Sequence, residues 1–173
     1  MKMPKSPYNA TSRATSIETL VNKAKTFIAN PEDTWMETGR EAMGYPLPDF
    51  QRPVEWTDNQ CIRFIESAWL GFNLGVFVVN KEDWDEQGPK RFSGCLIDGQ
   101  QRITAVNRYL QGAFPVFGAY WSELSKHDQR RFLRTSFESA EVEIWDEDVL
   151  RDLSDRMNFG GTPHREDQRA VKH

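Results

Sequence analysis

The sequence predicts an α+β fold, with a small mixed sheet packed by several helices in a single domain. Segments of helical periodicity and short β-type runs are mixed, without the regular strand–helix–strand alternation of a doubly wound sheet. The length of 173 residues suits one core and is short for two. With 38% hydrophobic and 28% charged residues the composition is that of an ordinary globular chain, and no apolar run approaches the ~18 residues that a membrane span needs.

Residues 1–14 are polar, contain Pro4 and Pro7, and read as a flexible arm before a domain over 15–165 and a polar tail over 166–173. Thr15 and Glu18 have capping-box spacing, and Ile17, Leu20, Val21, Ala24, Phe27 and Ile28 recur at helical intervals as far as Asn30-Pro31. Residues 31–47 look irregular. The prolines of YPLPDFQRPVEW (45–56) exclude a helix and a central strand there. Thr57 and Gln60 repeat the capping-box spacing ahead of an apolar stripe from Cys61 to Trp69, which predicts a second helix ending at Gly71.

GVFVVN (75–80) reads as a buried strand, KEDWDEQGPK as a charged loop and RFSGCLI (91–97) as another strand. Ile103, Val106, Tyr109 and Leu110 predict a helix up to Gly112. A short strand is expected around Phe114–Phe117, a helix from Ser125 to about Thr135 and a strand in FESAEVEIW. A last helix over 147–157 follows an Asp146 cap and places Met157 on its apolar face.

Several function classes are disfavoured. A net charge of −4 lacks the basic excess of a sequence-blind DNA binder, and the basic stretch KHDQRRFLR reads as a solvated helix face. The N-terminus has no apolar signal region, which predicts a cytoplasmic protein with no membrane partner. Cys61 and Cys95 lie inside apolar patterns, as buried reduced thiols do, and the acids of DWDEQ read as solvated. No GxxxxGK[ST] sequence is present, so a P-loop is excluded. His127, His164 and His173 have no metal-site spacing.

The stretch LIDGQQRITA (96–105) stands at a strand-to-helix turn. Such a turn offers backbone N–H groups and a helix dipole to an anion, with phosphate as the natural guest. Gly99 would let the ligand approach the backbone, Gln100 and Gln101 could donate amide hydrogens, and Arg102 offers a planar fork. Asp98 could hold Mg²⁺ or orient a water; equally, it could be a helix cap followed by a solvated first turn. PDFQRPVEW sets Gln51 and Arg52 between prolines and aromatics, either to meet a base or as a surface connector. NFGGTPH (158–164) is a third polar segment and is also compatible with a plain helix C-cap.

The order PxFQRPxxW, then IDGQQRxTA, then an asparagine followed by xGGTP resembles the N-terminal domain of GmrSD-type restriction endonucleases over about residues 15–165. The resemblance implies a ParB and sulfiredoxin-like fold and a site that binds and hydrolyses a nucleoside triphosphate with Mg²⁺. Asp98, Gln101 and Arg102 would be catalytic, with Asp98 also on the metal. Gln51, Arg52, Gly99, Gln100, Asn158, Gly160 and Gly161 would bind nucleotide. No nuclease signature of HNH type accompanies these motifs, so DNA cleavage by this chain alone is not expected. Two readings follow: an NTPase, or a non-catalytic module that senses nucleotide or DNA and contacts a defence-system protein, as a regulator or a phage-encoded decoy. Only Asp98 and Glu55 lie in or beside the motifs as candidate bases.

Overall fold

The computed structural model describes Met3, Ser6 and residues 8–159. Thr11–Arg13 form a first strand, β1, inside the stretch expected as an arm; all three residues are exposed, so the strand carries no hydrophobic period to announce it. Helix α1 (Ile17–Ala29) starts one residue later than a Thr15 cap implies. Ser16 is the N-cap, and its N–H donates to Thr19 Oγ1 at 3.2 Å. Thr15 instead donates its hydroxyl to the Phe137 carbonyl at 2.6 Å, tying the helix start to the sheet.

After a 3₁₀ turn at Pro31–Asp33, Glu41–Ala42 (β2) and Tyr45–Pro46 (β3) pair as a small hairpin in the stretch expected to be irregular. Helix α2 (Asp58–Trp69) has the expected capping box. Gln60 N–H donates to Thr57 Oγ1 at 3.3 Å, and Thr57 N–H to Gln60 Oε1 at 2.8 Å. Strand β4 (Val76–Asn80) follows, then a minor hairpin in the charged loop, Trp84–Asp85 (β5) with Gly88–Pro89 (β6).

The strand expected over 91–97 is shorter, Leu96–Asp98 (β7). Phe92 and Gly94 adopt left-handed φ of 67° and 65°, so the preceding residues form turns, with Phe92 buried. An inward-packed turn produces the same apolar run as a strand, and periodicity alone does not separate them.

Helix α3 (Gln100–Leu110) leaves β7 directly. The strand expected near Phe114–Phe117 is reduced to a single bridge between Val116 and Ala119, closed by left-handed Phe117 and Gly118. Helix α4 (Lys126–Leu133), strand β8 (Glu138–Val142) and helix α5 (Glu147–Phe159) complete the fold. Asp146 Oδ1 accepts from Val149 N–H at 3.1 Å, as an N-cap should.

The main sheet has the order β1–β8–β4–β7, with β8 and β4 parallel and the outer pairs antiparallel. Alternate residues of its strands enter different cores. Phe77 and Leu96 join Ile17, Cys61, Ile65, Ile103, Phe132 and Phe137, in a core drawn from the first four helices. Val78 and Ile97 face the other way and pack with Leu150 and Leu153 of α5. Burial of both faces is why β4 is apolar without alternation. Met157, expected in the core, is 43% exposed because α5 turns that position away from the sheet. No helix among the described residues is long and apolar enough to cross a membrane.

Candidate functional site

Gly99 links β7 to α3 at φ 108°, and a Cβ there would stand 2.6 Å from Phe77 Cβ. Glycine is therefore demanded both by the left-handed backbone and by close packing on β4. No side chain caps α3. Its first-turn N–H groups lack intrahelical partners, and the positive end of the helix dipole lies among them.

The polar residues after Gly99 differ sharply in what they touch. Arg102 donates through Nη1 to the Leu74 carbonyl at 3.0 Å, and through Nη2 to the Val76 carbonyl at 3.0 Å and Asp98 Oδ2 at 2.8 Å. Its guanidinium lies over the Phe137 ring, and Gly75 leaves room for it: a Cβ at Gly75 would be 2.7 Å from Nη1. Arg102 thus fastens the start of α3 to the start of β4, and Asp98 is its counter-ion. Gln101 Oε1 accepts from the N–H groups of Glu55 and Trp56 at 3.0 and 3.1 Å, while its Nε2 donates to the Pro53 carbonyl at 3.2 Å. That amide holds the 53–56 loop against α3.

Gln51 is 6% exposed and donates from Nε2 to the Leu96 and Ile97 carbonyls at 3.1 and 2.7 Å, closing the outer edge of β7. Gln100 is equally buried, yet its Oε1 has no hydrogen-bond partner among the described residues. A buried acceptor of this kind is an exception that calls for a cause. Asn158 Nδ2 donates back to the Ser154 carbonyl at 2.7 Å, and Ser154 Oγ approaches the Ile97 carbonyl at 3.4 Å, which anchors α5 beside β7.

These elements enclose a cavity of about 200 Å³. Gln51, Arg52, Asp98, Gly99, Gln100, Gln101, Arg102 and Asn158 all line it, so three segments more than a hundred residues apart at their extremes converge on the start of α3. Gly160 and Gly161 lie outside the described residues. Arg52 lies 3.7 Å from Glu55 Oε2 at the rim, with a side chain 41% exposed. Among the described residues Asp98 is the carboxylate in the lining, and no cluster of three metal-ligating side chains occurs. One carboxylate suits Mg²⁺ carried in by phosphates better than a protein-built cage.

Two lining residues were not singled out as site residues from the sequence, Trp56 and Met157. Trp56 stood inside the flagged PDFQRPVEW segment and could have been named as an aromatic wall. Met157 gave the opposite signal, because its spacing matched the apolar face of α5. Neither curated proteins nor solved structures yield a match to the chain. Residues 34–169 match the family described as GmrSD restriction endonuclease, N-terminal domain. With its QR, DGQQR and asparagine segments gathered around one cavity and that match spanning most of its length, the chain belongs to the GmrSD N-terminal domain family.

Proposed function

We propose that the protein binds a nucleoside triphosphate with Mg²⁺, its phosphates seated at the start of α3, and that it hydrolyses the nucleotide there. The observation that carries the reading is the convergence of the three polar segments on the uncapped N-terminus of an 11-residue helix. The first-turn N–H groups and the helix dipole favour the phosphates, and Arg52 adds positive charge at the rim. Arg102 and Gln101 act by holding the walls, since their polar atoms are engaged with backbone and Asp98. Asp98 is the residue for Mg²⁺ or the attacking water, and it must share itself with Arg102. Gly160 and Gly161, nucleotide-binding residues by the family resemblance, lie outside the described residues, and the sheet with its helices on both faces is consistent with a ParB and sulfiredoxin-like fold.

The Asp98–Arg102 pair also favours a second reading. A carboxylate whose Oδ2 already accepts from a guanidinium at 2.8 Å has that oxygen occupied, which suits a module that senses nucleotide without turnover and passes the signal to a defence-system protein or to DNA. Thermal unfolding of wild type and Arg52→Ala with ATP, GTP, CTP or UTP plus Mg²⁺ tests binding. Ligand at 100 times its Kd adds about 2.7 kcal/mol, or roughly 5–11 °C in a domain of this size, and Arg52→Ala should lose most of the shift. Phosphate release then separates enzyme from sensor. No shift with any nucleotide would end the proposal.

A further inference from the structure

A second cavity, of about 600 Å³, opens beside the first and shares Gln100 as a wall. Its floor runs along one stripe of α3, where Gln100, Thr104 and Asn107 follow each other at i, i+4 and i+7. Met43 and Leu47 form an apolar flank, and Val54, 43% exposed, forms a lip. Val54 belongs to the loop that Gln101 fixes, so one set of hydrogen bonds shapes both cavities.

The smaller cavity alone is below the ~300–1,000 Å³ typical of small-molecule sites, and it can hold little more than a phosphate chain. From Gln100 to Asn107 the stripe covers about 10 Å at 1.5 Å rise per residue, the span of a nucleoside laid along the helix. The mix is also that of a nucleoside site: an apolar flank for the face of a ring, and a hydroxyl and two amides for its edge and its sugar. Gln100, whose buried Oε1 has no hydrogen-bond partner among the described residues, is the residue that walls both cavities. An unsatisfied buried acceptor is destabilising, and a ligand donor that it turns to meet would relieve it.

We propose that this groove is the nucleoside subsite: it takes the base and ribose of the ligand, with Gln100 accepting a hydrogen bond from a nucleoside N–H or hydroxyl. The assignment rests on the reading of the first cavity as the phosphate site. Met43, Leu47 and Val54 pack on the ring, while Thr104 and Asn107 address its polar edge.

The test compares the four nucleoside triphosphates with inorganic tripolyphosphate, each with Mg²⁺, by calorimetry on the full chain. At least one nucleotide should bind about 10-fold or more tighter than tripolyphosphate. Thr104→Trp, which fills the groove, should bring the two to equal affinity while leaving tripolyphosphate unchanged. Hydrogen exchange on the wild type gives an independent readout, with residues 39–47 protected by nucleotide and not by tripolyphosphate; it decides the matter if Thr104→Trp does not fold. Equal affinities in the wild type, or no protection of 39–47, would overturn the subsite and leave the phosphate site standing. Failure of both ligands to bind would overturn the two readings together.

Discussion

Replacing Arg102 by alanine should destabilise the protein even with no ligand present. The substitution removes three hydrogen bonds at once, to the Leu74 and Val76 carbonyls and to Asp98. Hydrogen bonds from a charged donor contribute about 1.5–3 kcal/mol each when buried. The side chains of Arg102 and Asp98 are 19% and 23% exposed and the bond to the Val76 carbonyl is exposed, so water recovers part of that loss, and the ion pair and the Val76 bond are the legs to discount. The remaining deficit is about 3–5 kcal/mol, which lowers the melting midpoint by roughly 6–20 °C for a domain of this size. Urea unfolding and thermal melting of ligand-free Arg102→Ala measure it. Adding Asp98→Asn should recover part of the loss, because the orphaned carboxylate is then neutral. A ligand-free midpoint within about 2 °C of wild type would refute the structural role of Arg102 and return it to a ligand-contacting one. Loss of nucleotide binding in Arg102→Ala is therefore no measure of a phosphate contact.

Gly99→Ala should cost about 2 kcal/mol or more, since the new Cβ meets Phe77 Cβ at 2.6 Å and the backbone sits at φ 108°; an unchanged urea midpoint would mean that β4 and α3 separate easily. Burial pushes the Cys95 thiol up from 9.0 to about 12 and the Tyr45 phenol from 10.0 to about 12. In each case the unfolded chain loses its proton first, so the folded state binds more protons above pH 9 and stability falls as pH rises from there. Denaturant midpoints measured between pH 8 and pH 11 should decline, and Cys95 should resist thiol reagents at pH 8 until the protein unfolds.

Much of the fold is legible in the residues because it depends on neighbours in sequence. The Thr57–Gln60 box, the Asp146 cap and the apolar stripes of α2, α3 and α5 are local patterns, and they mark helices wherever the chain folds. The polar segments of the site are legible for a related reason: DGQQR, QR and Asn158 carry polarity that the elements around them do not need. The same signal did not reveal what each residue touches. Gln101 and Arg102 read as ligand donors, and in the ligand-free fold they are bonded to the loop at 53–56 and to the carbonyls at 74 and 76. Gln51 reads as a facing contact, and in the fold it lines the cavity while its amide donates to the carbonyls of β7. β1 was invisible because an exposed edge strand needs no apolar period, and Met157 misled because helical spacing does not say which side the core lies on. The sequence determined which residues are polar without local need; only the tertiary structure decided where most of their hydrogen bonds go, because the partners of Gln51 and Gln101 and the carbonyls held by Arg102 lie across a strand or a loop, tens of residues away in the chain.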